Sequence, residues 1–290
     1  MRAVSLSNPK IIESLNAYYV PVYLSNEDYA DTGPATKEEK AELDRIHREG
    51  LAKGLSVGSV HAYILAPDGS VRDSMHTAQA AKADQLLAML DRNARALHVA
   101  AGPPVVAPTP HPPPPCALGE TQVSLIARYL VKNGNDLVPV RSDSGDWSSL
   151  PSEDWFSLTS ADRVKLLAGC VAEGSSWTVD PAVANKLLVH FYPPTENWDL
   201  EKNTIRESAL TAKVESVVGS TARVAYTGHL RMDHWFYHKP DGRYVEADVT
   251  GYADVDVKTR TLLRFRLVTE RADYKGGQTL PFGVALRSFP

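Results

Sequence analysis

Apolar residues recur at helical spacing through the amino-terminal third of the chain and at every second position through the carboxyl-terminal part, so the structural period changes along its length. Asn8 and Pro9 form a cap and first-turn pair, and Ile11, Ile12 and Leu15 after them give one apolar face, predicting a helix that ends near Ala17. Tyr19 to Ser25 (YVPVYLS) reads as a buried strand, with Pro21 placing it at a strand start or edge. Lys37 to Lys53 sets Leu43, Ile46, Gly50 and Leu51 among many charges, the pattern of a surface helix, and Gly54 supplies its stop. Two β runs, Val60 to Leu65 and Ser70 to His76, flank the turn Pro67-Asp68-Gly69 and predict a hairpin. A helix from about Ala81 to Leu97 follows, burying Leu86, Leu87, Met89 and Leu90.

Farther on, Thr121 to Val131 fits a helix or a strand, and LPSEDWF (150 to 156) precedes a short helix opened by Thr159 and Ser160 and running toward Leu167. Asp180-Pro181 caps and starts a helix over Ala182 to Phe191 that Pro193-Pro194 stops. Strands are predicted at 208 to 218, 221 to 232, 243 to 256, 260 to 271 and 282 to 288. Gly219-Ser220, Pro240-Asp241-Gly242 and Lys258-Thr259-Arg260 supply the turns between them. An antiparallel meander or partial barrel with helices against one face accommodates this order.

NPKIIESLNAYYVPVYLS, HAYILAPDGSVRDSM and AKADQLLAML, read in order, give the succession of helix, strand, helix and hairpin that follows the active-site turn of thioredoxin. Residues 1 to 98 resemble the thioredoxin-like superfamily, as found at the front of two-domain bacterial thioredoxin-like proteins. In that family a cysteine pair precedes the first of these helices, where the helix terminus lowers a thiol pKa. Here Met1, Arg2, Ala3 and Ser5 stand there instead, and Gly58-Ser59-Val60 occupies the place of the family's cis-proline. The resemblance therefore implies a redox-inactive module. It also implies a missing central strand, whose neighbours would carry unpaired backbone groups. Three explanations are open: an internal start at Met1 within a longer thiol oxidoreductase, a segment from the second domain or another subunit filling the gap, or rearrangement of the flanking strands.

The fold class expected is thus α+β, an incomplete thioredoxin-like α/β domain over 1–98, a proline-rich linker over 99–119, and over 120–290 a mainly antiparallel β domain with packed helices. Gly102 to Cys116 (GPPVVAPTPHPPPPC) reads as a stiff polyproline connector, with recognition by a PxxP-binding domain as the alternative. A formal charge of -4 from 31 basic and 35 acidic residues, without a long run of either sign, predicts no nucleic-acid or membrane partner. No stretch approaches a membrane span and no signal-peptide core opens the chain, so a cytoplasmic location is expected. Cys116 and Cys170, with no CxxC and no metal-ligand spacing, exclude a disulfide framework.

Candidate chemistry gathers in TGHLRMDHWFYH and the strand after it. His229, His234 and His238 are candidate ligands for zinc or copper, although strand alternation sets His229 and His234 on opposite faces; otherwise no cofactor is expected. Asp233, His234, Glu246 and Asp248 are candidate catalytic residues of a hydrolase, a glycoside hydrolase or a metal-dependent one, and Trp235, Tyr237 and Tyr244 could line a ligand cleft. There is no GxSxG elbow, HExxH, phosphate-binding loop or GxGxxG. The leading expectation is a noncatalytic protein that binds a small molecule or another protein, with self-association through unpaired sheet edges.

Overall fold

The computed structural model describes residues 5–24, 29, 33–103, 114–140, 147–197, 199–237 and 239–289. The chain divides into two compact units, Met1–Pro112 and Pro113–Pro290. The middle of the proline-rich linker lies outside the described residues, and so does His238. Among the described residues no helix is long and apolar enough to cross a membrane.

In the first unit, α1 (Pro9–Tyr18) starts where Asn8 accepts a hydrogen bond from the Lys10 amide. α2 (Lys37–Ala52) opens on a full capping box in which Thr36 and Glu39 satisfy each other's backbone amides. β1 (His61–Leu65) and β2 (Val71–His76) form the hairpin, turning at Gly69 with φ of 82°. After the short α3 (Thr77–Ala80), α4 (Ala83–Ala96) lays Leu86, Met89 and Leu90 against Ile11 of α1 and Ile64 of β1. α2 also serves the hairpin's edge. Its Glu49 accepts from the Val71 amide at 3.0 Å, and its Lys53 donates to the Val71 carbonyl at 2.6 Å. These side chains satisfy edge groups that a neighbouring strand would otherwise pair.

The strand expected at Tyr19 to Ser25 does not form over its described residues. Val20 and Tyr23 are 81% and 88% exposed, and the sheet of this unit is the β1–β2 hairpin alone among the described residues. Pro21 removes one ladder donor from this run, and among the described residues no strand lies beside it to pair the rest of its backbone.

The second unit is one antiparallel sheet ordered β4-β3-β11-β10-β9-β8-β7-β6, with β5 also paired to β3. β3 (Thr121–Asn133), β4 (Asp136–Pro139) and β5 (Ser152–Leu158) come first. The chain then crosses through α5 (Ser160–Leu166) to β6 (Ser176–Thr178) at the other edge. α6 (Pro181–Leu188) follows, capped by Asp180, whose carboxylate accepts from the Ala182 and Val183 amides. A meander of long strands returns to the start: β7 (Thr204–Val218), β8 (Thr221–Asp233), β9 (Tyr244–Asp256), β10 (Thr261–Lys275) and β11 (Leu280–Ser288). β11 pairs with β3, so the last strand closes against the first.

Period-two burial runs along these strands as the sequence predicts. Ala222, Val224, Tyr226, Leu230 and Met232 of β8 point inward, as do Val245, Ala247, Val249, Ala253 and Val255 of β9, onto a core shared with Leu166 of α5 and Leu187 of α6. Register shifts in β7 and β10 mark bulges, which add twist to strands of this length. Gly251 leaves no room for a side chain between β9 and β10, for a Cβ there would lie 2.0 Å from the Arg266 carbonyl oxygen.

Candidate functional site

Alternation decides where each candidate side chain goes. On the outer face the register sets Glu207, Arg231, Glu246 and Asp273 in one row across β7, β8, β9 and β10. Glu246 there pairs with Lys275 and, at 3.8 Å, with Arg231. Asp233 is held by Arg206 at 2.5 Å, His229 by Glu207 at 3.2 Å, and Asp248 is exposed opposite His229. Three of the four sequence-nominated catalytic residues thus share the open outer face, two of them tied to cations. Tyr244 lies on the same face with the Arg231 guanidinium 5.1 Å from its ring centroid, Tyr237 is exposed beyond the strand, and Trp235 is half-buried.

His234 is separated from them, being 1% exposed on the inner side. Asn203 donates through Nδ2 to the Val189 carbonyl, which turns its Oδ1 toward His234 Nδ1 at 2.8 Å. The proton of His234 therefore sits on Nδ1, leaving Nε2 to face the Thr195 hydroxyl at 2.8 Å, itself within donating reach of the Asn197 carbonyl. Tyr192 stacks on the ring at a centroid distance of 4.3 Å. Burial lowers the His234 pKa to about 3, against a smaller opposing pull from Asp241. Among the described residues no group of three His, Cys, Asp or Glu is placed to hold a metal ion.

Beside this lies a pair that sequence reading missed. Asp154, on the inward phase of β5, meets His190 Nδ1 at 2.7 Å, and Phe156 stacks on the imidazole at 4.3 Å. Burial raises the Asp154 pKa, but the His190 hydrogen bond and charge and the Trp155 amide outweigh it and hold the carboxyl below its usual range. An ionised Asp154 fixes the His190 proton on Nδ1, an arrangement that orients Nε2 as a base. The available signal was a carboxylate on the same strand phase as Phe156 and Leu158, and a histidine inside the apolar run LLVHFY.

The other end of the outer face has a different charge balance. Arg223 and Arg264 flank Asp254, at 2.5 and 3.6 Å, so one carboxylate serves two guanidiniums. In the next row Tyr252 is opposite Arg266, which is opposite Arg287. Two arginines thus face each other across strands, and among the described residues neither has a carboxylate within ion-pair distance. Aromatic rings hold them instead. Arg223 and Arg266 lie 4.4 and 5.9 Å from the Tyr252 centroid, and Arg287 lies 4.7 Å from that of Phe289.

Fold and sites together define a class: a long-stranded antiparallel sheet with helices on its core side, and an outer side carrying a cationic row whose facing arginines have no carboxylate partner among the described residues. No family model, curated protein or solved structure matches the chain.

Proposed function

We propose that the protein is a noncatalytic binding protein, and that the outer sheet face of its second unit, at the end bearing Arg266 and Arg287, is the surface that takes the ligand. The facing arginines carry this reading. Like charges directly opposite on neighbouring strands destabilise a sheet, and an anionic ligand relieves that cost on binding. The carboxylates that would serve hydrolysis on this face offer less support, as Asp233 and Glu246 are engaged by Arg206 and Lys275.

Inorganic tripolyphosphate is a suitable probe in thermal unfolding at low salt. It is expected to raise the midpoint of the wild type saturably and to leave the double variant Arg266→Gln, Arg287→Gln unmoved. Without ligand, Arg266→Gln alone should unfold roughly 1–3 °C higher than the wild type, as cross-strand repulsion is removed. Equal response of wild type and double variant would refute the assignment of the face. Hydrolysis is the second reading, favoured by the Asp154–His190 pair. Turnover of an ester, phosphoester or glycoside that His190→Gln abolishes would replace the binding reading with it.

A further inference from the structure

The cationic row does not stand alone, and the row beside it narrows the partner. Followed across the sheet, the cationic row runs from Lys213 on β7 past Ala225 to Tyr252, Arg266 and Arg287. It ends at Ser124 and Trp155, and it contains no carboxylate. One step along the strands, Thr211, Thr227 and Thr250 align across β7, β8 and β9, and the same row continues as Val268, Ala285 and Ile126 across β10, β11 and β3. Ile126 is 46% exposed and Val268 39% exposed, an apolar strip set directly beside the paired arginines. Glu153 closes that strip at β5.

Resting on the reading of this face as a ligand surface, we propose that its partner is an acidic, amphipathic polypeptide segment whose carboxylates lie along the Lys213–Arg266–Arg287 row and whose apolar residues cover Val268, Ala285 and Ile126. Three features favour a polypeptide over a nucleic acid. The apolar strip parallel to the cations matches adjacent acidic and apolar stripes on a peptide, whereas a phosphate backbone has nothing to cover it. Both Tyr252 and Phe289 are already engaged by guanidiniums, and Trp155 leans on Phe289 at 5.2 Å, so these rings are not free platforms for stacking bases. Finally, from Lys213 to Arg287 the row crosses four strand intervals of ~4.8 Å and so extends for about 19 Å, which about 13 residues of helix would span.

The test uses the full chain and labelled probes in fluorescence anisotropy: a 20-residue peptide of Glu and Leu in adjacent helical stripes, its Lys-for-Glu counterpart, a poly-L-glutamate of equal length and an oligo-dT of equal charge. The Glu/Leu peptide should bind saturably and its Lys counterpart should not. Affinity should fall roughly tenfold or more in Arg287→Glu, and again on raising salt from about 50 to about 300 mM. Ile126→Asn, which changes no charge on the face, should weaken the Glu/Leu peptide at least several-fold while leaving poly-L-glutamate unchanged. Oligo-dT or poly-L-glutamate binding as tightly as the Glu/Leu peptide would overturn the proposal, because the apolar strip would then contribute nothing. No peptide binding alongside intact tripolyphosphate protection would also overturn it while sparing the anion-binding face; loss of both would remove the face itself. Circular dichroism of each variant, with Arg287→Gln as a milder substitute, separates lost binding from lost fold.

Discussion

His234 makes the stability of the second unit depend on pH. Its imidazole is buried, and with a pKa of about 3 in the fold against an unperturbed value of about 6.5 the chain takes up a proton there only on unfolding. Stability from this group is complete above pH 6.5 and is lost as pH falls toward 3, by ~1.4 kcal/mol for each unit once the unfolded form is protonated. Between pH 7.5 and pH 5.0 the expected loss is about 2 kcal/mol, a window that ends above the ordinary carboxylate range. Because all five tryptophans lie at or beyond Trp147, urea unfolding followed by tryptophan fluorescence reports on this unit alone. The wild type should lose the expected amount between the two pH values. His234→Gln, less stable at pH 7.5 through its altered packing under Tyr192, should lose far less between them. Equal wild-type stability at both pH values, or the same pH slope in His234→Gln, would refute the claim that this buried neutral imidazole sets the dependence.

Gly251→Ala should destabilise the second unit by about 2–3 kcal/mol or more, since the added methyl meets backbone of β10 that cannot step aside. A urea midpoint close to that of the wild type would show that β9 and β10 can separate there. Asp154→Ala should cost about 1–3 kcal/mol at pH 7.5, because it strips the acceptor from His190 Nδ1 and from the Trp155 amide. An unchanged midpoint would mean that water replaces the carboxylate at no cost.

Much of the second unit was legible in the sequence because its strands are half-buried. Alternation in TARVAYTGHLRMD and YVEADVTGYADVD fixed element type and inward residues together, and glycines at positive φ marked two of the turns, at Gly219 and Gly242. Short strands such as β4 and β6 escaped notice, as a few residues hold too little of a period to read. Alternation also forecast that His229 and His234 would part, and they do. The first unit misled at YVPVYLS, where composition favours a strand but a strand also needs a neighbour to pair with.

By itself, the sequence determined local period, caps, turns and which side of each strand is dry, because these depend on residues a few positions apart. Only tertiary structure decided which charges meet. Arg266 and Arg287 are far apart along the chain, and net charge and charge runs gave no hint that register would set them face to face with no acid between. Asp154 and His190, and the Thr195, Asn203 and His234 group, likewise come together only when the segment after α6 is brought against β5 and the residue that follows β8. Pairing of this kind is fixed by strand order and register, which are properties of the assembled sheet rather than of any one segment.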